Sequence, residues 1–175
     1  VSPLSPINAN LKERTRRVCV NSFKELDAIS VQGTSRKQNE DRYLVEDGTD
    51  AGYQTIAAVF DGHGGNATAE WLKVNFSKYV AKFWQETYSP EAAMTEAFLA
   101  ADRRILTPKK GFMGMVGERG IGGSKCGATG AVAITYQDEN GMPYIMAANA
   151  GDARVVLGGK DGVIQMTVDH VPDSE

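Results

Sequence analysis

The 175 residues carry a net charge of -3, with 42% hydrophobic and 23% charged residues. That length suits one domain with a real core, and the acidic balance leaves no basic footprint for nucleic acid. No apolar run approaches the ~18 residues of a membrane span, and no signal peptide is visible. Two Cys, at 19 and 126, sit at no metal-ligand spacing and imply an intracellular, reducing compartment: cytoplasm, nucleus or an organelle. The first residue is Val1 rather than Met, which reads as a processed or excised piece whose targeting segment is missing.

Residues 1–17 are polar, contain Pro3 and Pro6, and read as a flexible lead-in, with the domain proper spanning 18–175. Arg17 to Val20 suits a short edge strand. Ala28 to Gln32 alternates weakly and reads as a strand closed by Gly33-Thr34-Ser35. Tyr43-Leu44-Val45 is a second strand and Gln54 to Asp61 a central one, joined by a polar hairpin loop over 47–52. Antiparallel pairing of these two would bring Glu40, Asp41 and Asp61 to one sheet end.

After Gly65 the period changes. Leu72, Phe76, Tyr79, Val80 and Phe83 fall on one helix face, predicting a helix from about Ala67 to Thr87. Ser89-Pro90-Glu91 is a helix start, followed by a stripe of Met94, Ala97, Phe98, Ala101 and Ile105. Thr107 to Cys126 is Gly-rich and reads as a long loop, either a flap over a site or a plain connection. From Gly127 onward the pattern is β: 128–136, an Asn140-Gly141 hairpin turn, 144–148, 155–157 and 163–168. Strands, two helices, then strands again make an α+β fold.

The stretch with the most chemistry is Val59-Phe60-Asp61-Gly62-His63-Gly64-Gly65. An apolar strand runs into an acid, and a His follows among three Gly. The glycines allow a sharp turn and a close approach to a ligand. An Asp at a strand end beside a backbone carbonyl suits a hard divalent cation. The alternative is a tight strand-to-helix turn with a solvated Asp and His.

This stretch resembles the signature of the metal-dependent (type 2C) serine/threonine protein phosphatases. Four further stretches agree in family order. They are Arg36-Lys37-Gln38-Asn39-Glu40-Asp41-Arg42, Gly127-Ala128-Thr129-Gly130-Ala131, Ala148-Asn149-Ala150-Gly151-Asp152-Ala153-Arg154 and Asp169-His170-Val171-Pro172. The resemblance runs from Ile29 to Pro172. It implies two antiparallel sheets packed as a sandwich and flanked by helix pairs (αββα), with metals at one end. It also implies metal-dependent hydrolysis of phosphoserine and phosphothreonine on proteins, by a chain expected to be monomeric.

By the same resemblance, Asp61 is the bridging ligand of two Mg²⁺ or Mn²⁺ ions and Gly62 adds its carbonyl. Glu40 contacts one metal directly or through water, with Asp41 behind it; their alternative is a solvated turn pair. Arg36 matches the phosphate-binding Arg, whose planar fork suits phosphate oxygens. His63 is the candidate general acid for the departing Ser or Thr oxygen, or else a structural hydrogen-bonding group. Asp152 matches a third, weaker metal position, or caps its turn. His170, in a strand-end turn, reads as structural.

The family's D-G-x-W/F-D and late D-N motifs do not occur in the chain; Asp161-Gly162-Val163 lacks the aromatic-Asp that should follow. The sandwich is therefore expected to be incomplete at its C-terminal side. Three readings follow: part of a longer phosphatase, a non-catalytic phosphatase-like domain acting in protein binding, or a shared fold with other metal chemistry.

Overall fold

The computed structural model describes residues 16–19, 27–34, 38–108 and 120–172. Arg36 lies outside these residues, as do 1–15 and the middle of the Gly-rich loop.

A five-stranded antiparallel sheet is the frame. Its strands are β1 (Arg16–Cys19), β2 (Arg42–Asp47), β3 (Thr55–Phe60), β6 (Gly130–Gln137) and β7 (Pro143–Ala150), in the order β1-β7-β6-β3-β2. The middle strand is thus β6, and β3 is its inner neighbour rather than the centre. β2 and β3 are joined through a single 3-10 turn at Thr49–Ala51. Ala28 to Gln32, expected as a strand, is not one: Ile29 and Val31 are 89% and 76% exposed. Weak alternation with no buried face supplies no burial to hold a strand. Two ribbons complete the β-structure: β4 (Gly62–His63) with β5 (Gly127–Ala128), and β8 (Val156–Gly159) with β9 (Gly162–Gln165).

Helices α1 (Ala67–Thr87) and α2 (Pro90–Leu106) form one layer against the sheet. α1 ends where Tyr88 turns left-handed at φ 53°. α2 starts at Ser89, whose hydroxyl accepts from Ala92 N at 3.3 Å, with Pro90 in the first turn. Alternate strand residues, Leu44, Ile56, Ala58, Phe60, Val132, Ile134, Met146 and Ala148, meet Leu72, Phe76, Val80, Met94 and Ala97 of the helices in one core. Phe76 is fully buried and touches Phe60 and Phe98 edge-on, at 5.7 and 4.9 Å between ring centres.

The architecture is α+β with antiparallel sheets and a helix pair, as expected. Among the described residues there is one helix layer and one broad sheet. The edge of that sheet's other face carries Tyr43, Val45 and Val59, which are 39%, 37% and 51% exposed. No helix of the described residues is long and apolar enough to cross a membrane.

Candidate active site

The register of β2 and β3 builds the site. Arg42 pairs with Phe60, so the residues just before β2 and just after β3 emerge at one sheet end. There they line a cleft of about 180 Å³, floored by Asn39, Glu40, Asp41, Asp61 and Gly62. The Asp41 amide donates to Asn39 Oδ1 at 2.9 Å, and Asn39 Nδ2 donates to Ser30 Oγ at 2.9 Å. Ser30 belongs to the segment expected as a strand; it serves instead as a prop for the acidic loop.

Asp61 stands exposed at the end of β3, with its carbonyl accepting from Thr129 N at 2.8 Å. Its carboxyl is pushed above the ordinary carboxylate range, first by the water its surroundings exclude, then by the charges of Asp41 and Asp152, and by a hydrogen bond with Asp41; His63 opposes the shift. Asp61 thus feels acids drawn from two other motifs. Gly62 is buried, and a Cβ there would come within 2.5 Å of the Glu40 carbonyl oxygen. Only glycine allows the two loop backbones to approach so closely.

His63 is exposed and sits opposite Gly127 in the β4–β5 ribbon. Its imidazole lies over Gly127: a Cβ at 127 would be 2.5 Å from Nε2 and 2.7 Å from Cε1. The turn after it is held by Cys126, whose thiol donates to Gly65 O and accepts from Thr68 Oγ1, both at 3.2 Å. The C-terminal end of the Gly-rich loop is anchored rather than free. Ile121 N donates to Ile105 O at 3.0 Å, and Thr68 Oγ1 reaches Ile121 O at 3.3 Å.

Asp152 projects, exposed, from the turn after β7. Buried Asn149 organises that turn, donating to Gly151 O at 3.0 Å and Val168 O at 2.8 Å, with a longer bond to Ala153 O at 3.4 Å. His170 adds a two-way tie to Gly151: its amide donates to Gly151 O at 2.9 Å, and its Nδ1 accepts from Gly151 N at 3.2 Å. Arg154 forks onto both carboxylate oxygens of Asp169, which this pairing holds below the usual carboxylate range.

Sequence reasoning missed two groups. Arg42 and Glu70 form an ion pair between β2 and α1, and nothing in the sequence links positions so far apart. Gly127 could have been flagged, as a small residue flanking the small-residue strand.

All candidate metal donors are oxygens: the carboxylates of Glu40, Asp41, Asp61 and Asp152 and the carbonyl of Gly62. That chemistry fits Mg²⁺ or Mn²⁺. The repulsion that Asp41 and Asp152 exert on Asp61 is the kind a divalent cation relieves. Among the described residues, no three His, Cys, Asp or Glu side chains converge closely enough to hold an ion alone. The donor set fits in kind, and carbonyl and water oxygens must complete it.

A family model described as Protein phosphatase 2C matches residues 25–175. The chain is 33% identical over 148 residues to "Probable protein phosphatase 2C 62" of Oryza sativa subsp. japonica, covering 83% of this chain and 46% of the relative. It is 33% identical over 154 residues to "Protein phosphatase 2C homolog 2" of Aspergillus fumigatus, covering 86% and 30%. Among solved structures, a phosphatase from a pathogenic strain of Toxoplasma gondii superposes with a TM-score of 0.57 at 21% identity, covering 80% of this chain and 51% of that one. The PPM Ser-Thr phosphatase MsPP from Mycobacterium smegmatis, in complex with cacodylate, gives 0.52 at 18%, covering 89% and 53%. The structures show the shared fold. The chain belongs to the protein phosphatase 2C family, and it spans less than half the length of these curated relatives.

Proposed function

We propose that the chain carries the water-activating and proton-donating part of a site that hydrolyses phosphoserine and phosphothreonine on proteins with Mg²⁺ or Mn²⁺. The observation that supports this reading most is the strand register, which brings the residues before β2, after β3 and after β7, and with them Asp41, Asp61 and Asp152, to one sheet end. A monoester dianion resists attack in water, so a site must neutralise its charge and supply a proton to the leaving oxygen.

Asp61, Asp41, Glu40 and the Gly62 carbonyl would hold the ions, with Asp152 toward a third, weaker one. Bound divalent ions would supply charge neutralisation and acidify water. His63, exposed and next in sequence to Gly62 of the cleft lining, would hand a proton to the departing Ser or Thr oxygen. Arg36 is proposed to bind the phosphate through its planar fork.

The test uses the natural full-length polypeptide with a phosphoserine peptide, in Mn²⁺ and in EDTA. Mn²⁺-dependent phosphate release that Asp61→Asn removes is the expected result. Full activity in Asp61→Asn would discard the reading.

A further inference from the structure

We propose that Arg42 is a positioning residue that holds the acidic loop to α1 and so fixes the carboxylates of Glu40 and Asp41. The inference rests on the reading of those acids as metal-binding groups. Arg42 Nη1 donates to Asn39 O at 3.0 Å and to Asp41 O at 2.7 Å, and its Nε donates to Glu70. The two carbonyls flank Glu40. Glu70 lies in the first turn of α1, where a negative charge faces the positive end of the helix. One side chain thus joins both sides of the Glu40 peptide to the helix that follows the Asp61 turn.

The other side of that peptide is closed by Gly62, whose approach leaves no room for a Cβ beside the Glu40 carbonyl. Glu40 is therefore gripped between the guanidinium and the Gly62 backbone. With the Glu40 backbone so held, the point from which its side chain leaves the loop is set before any ion arrives, which removes part of the ordering cost of binding.

The role is one of geometry: the guanidinium meets two backbone carbonyls of the loop and a carboxylate of α1. The charges that perturb Asp61 are those of Asp41, Asp152 and His63. The positive charge of Arg42 is directed at Glu70, whose carboxyl it holds below the usual range by hydrogen bonding. Serving two backbone carbonyls and a carboxylate at once calls for a rigid planar fork. A Lys keeps the charge but offers one flexible donor centre. Arg42→Lys therefore separates geometry from charge.

The experiment titrates Mn²⁺ into the natural full-length polypeptide by calorimetry, with free Mn²⁺ counted by EPR. Thermal melts in EDTA run in parallel. Arg42→Lys is expected to weaken Mn²⁺ binding by about tenfold or more, as loss of an outer-shell partner does. Glu70→Gln, which keeps an acceptor, should weaken it by roughly threefold. The double variant should be no worse than Arg42→Lys, since both act through one device. Mn²⁺ affinity unchanged in Arg42→Lys, whether or not its melting point falls, overturns the proposal if Asp61→Asn still abolishes binding. Should Arg42→Lys fail to fold, an unchanged affinity in Glu70→Gln overturns it instead. If Asp61→Asn binds Mn²⁺ as wild type does, the metal reading falls and takes this proposal with it.

Discussion

Replacing Gly127 with alanine tests how the His63 ring is placed. The new Cβ would start 2.5 Å from Nε2 and 2.7 Å from Cε1. Ordinary contacts between such atoms lie at about 3.5–4.0 Å, so the ring must retreat by about 1 Å. His63 is exposed and can swing outward, and Gly127 has no left-handed φ, so alanine fits its backbone. The lost contact is offset by about 0.4–1 kcal/mol from the reduced freedom of the unfolded chain. The net change should stay within about 1 kcal/mol, a melting shift of no more than about 4 °C. For a proton donor, the role proposed for His63, a 1 Å misplacement can cost about 10²-fold, or about 2.7 kcal/mol at the barrier. A phosphoserine peptide should lose about that much in kcat. p-Nitrophenyl phosphate, whose phenolate leaves without a proton, should lose less than about tenfold. In a His63→Ala background the second change should do nothing further to either substrate. Equal losses on both substrates, or a full extra loss in that background, would refute the argument.

Asp61, though exposed, has its carboxyl raised by partial loss of hydration and by neighbouring acids. An acid raised in the fold keeps its proton there longer than in the unfolded chain, so stability falls as pH climbs from the ordinary carboxylate range through the raised value. In EDTA at neutral pH, Asp61→Asn should therefore melt above wild type, the gap closing as pH drops below that range, and Mn²⁺ should reverse the order. The buried Tyr53 phenol is pushed from 10.0 up to about 12 by burial and then by Glu46. Stability should fall by about 1.4 kcal/mol per pH unit across that window, and alkaline urea titrations of Tyr53→Phe should lack this slope. Asn149→Ala removes three donated bonds from a side chain that is 1% exposed. The expected loss is about 2–4 kcal/mol, read as a lower urea midpoint at unchanged slope. Phe76→Ala should cost about 3–5 kcal/mol by the same assay, because the two facing rings cannot collapse into the space.

Both helices were legible in the residues before any coordinates. The spacing of Leu72, Phe76 and Val80 and the Ser89-Pro90 start act over three or four positions, the range over which helical interactions operate. The turn at Asn140-Gly141 was equally local: Asp138 Oδ1 accepts from Asn140 N and Met142 N, and Gly141 takes φ 76°. Ala28 to Gln32 misled because weak alternation says nothing about whether a partner edge exists. The acids before β2 and after β3 could be foreseen together, since a short hairpin joins the two strands.

Local chemistry thus settled the helices, the turns and the strand-end Asp61. The arrival of Asp152 and Asp61 at one sheet end, the slot that Gly127 leaves for His63 and the bond from Arg42 to Glu70 came only with the assembled sheet. Each joins residues far apart along the chain, and their meeting depends on strand order and register. Those are set by the packing of the whole core, not by any short run of side chains.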